Sequence, residues 1–516
     1  MSTTKSEDVI PAVSSADEET CRCTGVTSES ETLLPAEKSA ALHEQGTTAP
    51  GAVESGSGRF SRSKGLTLWV TKGMILVTII FPVSVPYAMA NATLLGGVML
   101  IVLASTVMMY MAVLVGRCWV ILMETWPERY RHREVRAPYP AIAKEAGGRF
   151  WEVLMMLSIS FTNLGTSVVL LLAAASTADV LLPGHFSIRV WTVICTIVLL
   201  PLVCFGTMRD SKWLGVFGGP VAFLAGLCML LSVVLSRVFT ENSTIGDLQR
   251  QWPGTGTPSN VSSSVPWTIG LATSGPGSTA RVSPLHHDDG TRNTLTFSSF
   301  WVGVTTIVFT LSPMGTIPTI QHDMKKPDLY TRAVIPAYIV AVLFDLSVGV
   351  VGMDTFGQRS NPNILRNVQC RSSLAVRTML KISSTLSCVN FLCVTMATVL
   401  PLTQHVEEAV KLPLNDTGIK HLLVRSGTLL FILAVSVAMP EFHKYASLIG
   451  ASSMALNNFI CPALFYYRLT SATGNTLHRA QIGFLLFVLV IGIAIGLAGT
   501  YVALRGIIES SAVTPC

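Results

Sequence analysis

Two sets of prolines are the residues in this sequence best placed to bind something, and they would do so by opening the backbone. Pro82 and Pro86 stand four apart in TLWVTKGMILVTIIFPVSVPYAMANA, and Pro313, Gly315 and Pro318 interrupt FSSFWVGVTTIVFTLSPMGTIPTIQ. Proline removes a backbone donor and clashes with the preceding turn. Each interruption should free N–H and C=O groups inside an apolar run, which is costly in lipid unless a ligand, an ion or a water-lined cavity takes them up. The residues that would meet a ligand there are Ile79, Phe81, Val83 and Ser84 at the first break and Phe309, Thr310 and Ser312 at the second. Half-helix ends at such breaks can orient opposite charges. The competing reading is a pair of ordinary proline kinks; Pro201, Pro220 and Pro462 in other apolar segments speak for it.

Other side chains add to this chemistry. Asp345 falls in the middle of an apolar run, where an ionisable group is a functional candidate by default. It would carry a coupling proton, or else it makes a structural hydrogen bond or lines a wet cavity. Lys381 is its one obvious cationic partner, although a long lysine stem can also snorkel to the surface. Asn163 and Thr166 in one segment, and Ser384 and Ser387 in another, offer oxygens to a polar substrate or to Na⁺. Such residues more often join helices by hydrogen bonds. There is no HExxH, P-loop, GxSxG or dinucleotide fingerprint, and no paired CxxC framework among the 11 cysteines. An enzyme reading has no residues to stand on, and no cofactor is expected beyond a coupling ion, H⁺ or Na⁺.

The elements that must position these groups are membrane helices. Of 516 residues, 50% are hydrophobic and 13% charged, and the mean hydropathy is +0.53. Runs of about 18 or more apolar residues read as membrane spans, and their lack of period-2 alternation selects helices over a barrel. Eleven segments are expected, at 66–90, 93–115, 151–176, 189–206, 213–236, 297–320, 333–353, 378–402, 425–440, 445–466 and 481–504. The two interrupted ones are the first and the sixth. Matched breaks in two halves point to an inverted-repeat transporter with a site at the midplane. The net charge of +6 gives no sign of a nucleic-acid partner.

Three domains are expected: a tail over 1–64, a membrane domain over 65–505 and a short terminus over 506–516. The tail is rich in Ser, Thr, Glu and Gly, too polar to bury a core, and reads as disordered. It contains Glu29, Leu33 and Leu34 in the pattern of an acidic dileucine sorting signal for an adaptor. Lys and Arg gather at 116–150, 209–212, 325–332, 411–420 and 468–479, which puts the amino terminus in the cytosol. The loop 237–296 then lies in a lumen or outside the cell, where the sequons at Asn242 and Asn260 would be glycosylated. The basic stretch 355–377 is the exception on that side.

VPYAMANATLLGG (85–97), RAPYPAIAKEAGG (136–148), VLLPLVCFGTMRDSKWLGVFGG (198–219) and IVFTLSPMGTIPTIQHDMKKPDLY (307–330) together resemble the amino acid/auxin permease family. They look most like its vesicular inhibitory amino acid (GABA/glycine) transporter-like members, and the resemblance covers about residues 66–505. It implies a LeuT-type fold of two inverted five-helix repeats plus an eleventh helix, with helix 8 contributing to a Na⁺ site. The sequence departs from the family in three places. Ile79 and Phe81 stand where glycines are common, the loop after the fifth helix is about 60 residues long, and Gln321 replaces an acidic residue. The expected function is secondary active transport of amino acids across a vesicular, endolysosomal or plasma membrane. The alternative is an amino acid sensor that keeps the fold and signals through its tail.

Overall fold

The structure, a computed structural model, describes residues 65–131, 133, 135–205, 212–251, 296–312, 315–370, 373–412, 418–438 and 442–512. The tail with Glu29, Leu33 and Leu34, and the sequon at Asn260, lie outside the described residues, as does the side chain of Asn242.

The described chain is helical. The first apolar segment is two half-helices, α1 (Leu68–Ile79) and α2 (Val85–Ala92). The long α3 (Leu94–Thr125) follows, then short α4 (Pro127–Tyr130) and α5 (Pro138–Gly147), then α6 (Arg149–Leu181), α7 (Ile188–Phe205) and α8 (Gly219–Gln251). The sixth segment is again split, into α9 (Phe297–Thr310) and α10 (Ile317–His322). Then come α11 (Thr331–Phe356), the loop helix α12 (Ile364–Gln369), α13 (Leu374–Ala409) and α14 (Ile419–Ala438). The tenth segment is α15 (Phe442–Ala451), α16 (Ser453–Ala455) and α17 (Cys461–Ala472), with a π turn over Leu456–Ile460. Further π turns lead into α8, over Leu214–Gly218, and join α18 (Arg479–Ala494) to α19 (Thr500–Ala512).

Nine of the described helical stretches are long and apolar enough to cross a membrane, and two shorter apolar helices, α7 and α9, fall at the fourth and sixth expected segments. The outward faces are apolar, with Leu95, Met99, Leu157, Ile197, Leu343, Val490 and Leu497 all exposed. A surface of that kind is stable only against lipid, and the chain is an integral membrane protein.

Several helices overrun the expected segments: α3 reaches Thr125 rather than 115, and α13 reaches Ala409 rather than 402. Helix α8 runs on to Gln251 rather than stopping at 236, so the long loop opens as helix; no proline follows Pro220 until Pro253. The final helix reaches Ala512 rather than 504.

Close backbone approach fixes the half-helices. A Cβ on Gly73 of α1 would come within 1.9 Å of the Gly215 carbonyl oxygen before α8, and one on Gly303 of α9 within 2.8 Å of the Ala88 carbonyl oxygen of α2. At the basic end, the chain entering α1 pairs with the chain leaving α10. Leu66 N–H donates to Asp323 O at 2.8 Å, and Lys325 N–H donates to Leu66 O at 2.9 Å. At the other end, Arg366 from the basic exception pairs with Asp179 at 3.0 Å.

Candidate functional site

The first break lies on the amino-terminal side of Pro82. Helix α1 ends at Ile79, Ile80 and Phe81 leave helical geometry (φ/ψ −73/99° and −139/55°), and one 3₁₀ turn spans Pro82–Ser84. Pro86 does not break anything. It is the second residue of α2, as Pro318 is the second residue of α10, a position where a missing N–H costs nothing. Each segment therefore stops, turns, and restarts on a proline.

The two breaks converge. The ring of Phe81 meets that of Phe309 edge to face, with centroids 6.1 Å apart, and lies 5.1 Å from Phe391 of α13. All three are buried, as are Ile79 and Val83. Asn163 of α6 faces the second break from the side: a Cβ on Gly315 would come within 2.3 Å of its Oδ1. Tyr338 Oη of α11 donates to Leu311 O at 3.2 Å, and Asn390 Nδ2 of α13 donates to Ile80 O at 3.4 Å. Carbonyls released by the breaks are thus partly taken up by neighbouring helices, which is how non-helical backbone survives at membrane depth.

Ser84 and Ser312, expected to meet a ligand at the two breaks, each bond to protein groups. Ser84 Oγ donates to Pro362 O at 2.9 Å, and Ser312 Oγ accepts from Asn458 Nδ2 at 2.6 Å. Thr310 spends its hydroxyl on Thr306 O of its own helix. The pairing of Asp345 with Lys381 also fails. Lys381 is exposed, whereas Asp345 is 1% exposed.

Several buried polar atoms around this centre have no partner among the described residues. They are Asn163 Nδ2, Thr166 Oγ1, the hydroxyls of Ser383, Ser384 and Ser387, Asn390 Oδ1, and both carboxyl oxygens of Asp345. On α13, Ser384, Ser387 and Asn390 follow one another at intervals of three, with Ser383 four before Ser387, and so lie along one side of the helix. An all-oxygen set of this type suits a hard cation. Asp345 shares a helix face with Tyr338, which bonds the second break, and with Gly349, where a Cβ would come within 2.9 Å of Val85 Cγ1 beside the first. The carboxyl therefore stands between the two breaks on α11.

Sequence reasoning missed the cover. The chain from Ser360 through α12 lies against Ser84, and Asn363 Nδ2 donates to Ser176 Oγ at 3.1 Å and Thr177 Oγ1 at 3.2 Å on α6. It also missed Asn457 and Asn458. Asn457 accepts from Ser158 Oγ at 2.7 Å and donates to Thr162 Oγ1 at 2.8 Å, tying the π turn to α6. Two adjacent asparagines in an apolar run were the available signal. Phe391 had none.

Comparison with known proteins agrees with this geometry. The family model described as transmembrane amino acid transporter protein matches residues 69–505. Amino acid transporter AVT1D of Arabidopsis thaliana is 22% identical over 358 residues, covering 68% of this chain and 53% of that protein. Amino acid transporter AVT3A of the same plant is 24% identical over 217 residues, covering 42% of this chain and 47% of that protein. The chain thus spans about half the length of these relatives. Among solved structures, the substrate-bound outward-open state of a Na⁺-coupled sialic acid symporter superposes with a TM-score of 0.50 at 11% identity, covering 86% of this chain and 90% of that one. That likeness is one of fold, and the fold is the all-α LeuT type. With the family model matching from α1 to α19, the chain belongs to the transmembrane amino acid transporter family.

Proposed function

We propose that the chain is a secondary active transporter that moves α-amino acids across its membrane by alternating access. The observation that carries this reading is the convergence of both helix breaks on one buried centre, with Phe81 and Phe309 in contact across it and Asn163 beside Gly315. Substrate ammonium and carboxylate groups would be held by backbone near 79–84 and 309–313, with Asn163 and Thr166 on the α6 wall. The names of the relatives, both amino acid transporters, support the substrate class.

The unbonded groups support two candidates for the coupling ion. A buried carboxyl with neither oxygen bonded, placed between the breaks, suits a proton carrier, and Asp345 takes that role. A second reading, Na⁺ on Ser384 and Ser387, is favoured by the row of unbonded oxygens on α13 and by the Na⁺ coupling named for the structural neighbour.

Uptake of radiolabelled amino acids into proteoliposomes, under an imposed proton or Na⁺ gradient, tests both. Concentrative uptake under one gradient and not the other is expected. Saturable binding with no flux under either gradient would replace transport with the sensor reading.

A further inference from the structure

A cavity of about 350 Å³, with polar and apolar walls, lies between α3, α17 and the junction of α10 with α11. Its walls include Arg117, Gln321, Asp328, Tyr330, Tyr466 and Thr470, and none of the residues that form either helix break. Three of these residues carry a polar atom with no partner among the described residues: Gln321 Oε1, Tyr330 Oη and Thr470 Oγ1. All three side chains are more than nine-tenths buried, at 1%, 1% and 7% exposed. Buried polar atoms are rarely left in this state in native proteins, and each such case calls for an explanation. Three around one cavity point to a ligand.

The chemistry of the lining narrows its class. Gln321 Nε2 already donates to Gly116 O at 2.9 Å and Pro327 O at 3.3 Å. That fixes its Oε1 as an acceptor, suited to an ammonium group. The hydroxyls of Tyr330 and Thr470 can donate to a carboxylate. Arg117 and Asp328 are exposed, and neither forms an ion pair among the described residues. One cation and one anion beside uncharged donors and acceptors complement a small zwitterion. The volume admits a modest side chain, which Val120, Ile121 and Tyr466 would meet.

We propose that this cavity is a second binding site, separate from the helix breaks, for a zwitterion of the α-amino acid class. Its wall holds Arg117 and Pro327, the latter directly after Lys325 and Lys326 in the chain, so it sits at the end that the positive-inside rule assigns to the cytosol. A ligand there bridges α10 to α3 and α17 and holds the second half of the broken segment in place. Its consequence, inhibition of the cycle by amino acid from the basic side, rests on the transport reading; the binding itself does not.

Equilibrium binding of radiolabelled amino acids, each proteinogenic one in turn, to the purified full-length chain tests the proposal by counting sites. Two sites per chain are expected for at least one amino acid. Arg117→Gln with Thr470→Val should leave one, and Asn163→Leu at the helix break should leave the other. Tyr330→Phe, which keeps the ring and its packing, should weaken the second site alone by several-fold, so a folding defect in the double variant does not decide the matter. A single site per chain for every amino acid, or two sites untouched by all three cavity substitutions, overturns the proposal. Two sites with no flux in proteoliposomes would uphold it while sinking the transport reading.

Discussion

Phe81 and Phe309 meet edge to face across the two helix breaks, with ring centroids 6.1 Å apart. One ring comes from each break, so a substrate held by both backbones must part them or lie against them. Replacing Phe309 with leucine should enlarge the space without introducing polarity. Competition by bulky amino acids against uptake of a small one is expected to strengthen, by about tenfold or more on the scale of a few methylenes in an apolar pocket. Unchanged competition by every large amino acid, at normal expression, would place the substrate elsewhere.

Gly315 can take a side chain only if Asn163 moves aside. A Cβ there would stand 2.3 Å from Asn163 Oδ1, closer than real contacts allow. Gly315→Ala should therefore displace the Asn163 amide and lower uptake, while the protein still reaches the membrane. The paired variant Gly315→Ala with Asn163→Ser shortens the opposing side chain and should recover part of the flux. If the double variant is no better than the single, the contact is not what limits Gly315.

How far such a centre can be read from sequence is visible at its prolines. Pro82 and Pro86 marked the right stretch, because an apolar run with two prolines cannot stay an unbroken helix. They did not mark the right bond. A proline can also start a helix, and Pro86 and Pro318 both do so. The partners of the break were beyond reach for a different reason. Ser84 finds Pro362, 278 residues on, and Ser312 finds Asn458, 146 residues on. No local periodicity encodes such pairings; they follow from how the bundle closes. The pairing of Asp345 with Lys381 failed because Lys381 took the other course open to it and faces outward on α13, and sequence does not say which face of a helix a charge occupies.

The cover over the first break is held by few bonds. Ser84 donates to Pro362 O at 2.9 Å, and Arg366 reaches Asp179 at 3.0 Å with both side chains about a third exposed. Ser84→Ala should cost about 1 kcal/mol of closure, and Arg366→Gln, screened by solvent, about 0.2–1 kcal/mol. Both should speed release of bound radiolabelled amino acid, Ser84→Ala by about fivefold at that energy. Dissociation rates at the wild-type value in both variants would show that the 360–369 segment does not gate the site.

Asp345 offers the test of coupling. Its carboxyl is buried with neither oxygen bonded, and it stands on the face of α11 between the contacts to Leu311 and Val85. An unpaired charge in that position is expensive, so gaining and losing a proton must accompany a change in its surroundings. That link between proton and conformation is what proton-coupled transport requires. Asp345→Asn keeps the shape and removes the titration. Uptake driven by a pH gradient should fall to the level seen without one, while exchange of labelled for unlabelled amino acid, which needs no net proton movement, should persist. A packing role predicts the opposite, with gradient-driven uptake and exchange reduced together or not at all. If the variant instead keeps its pH response but Ser384→Ala or Ser387→Ala removes a Na⁺ response, the carrier is the α13 oxygen row and Asp345 is structural.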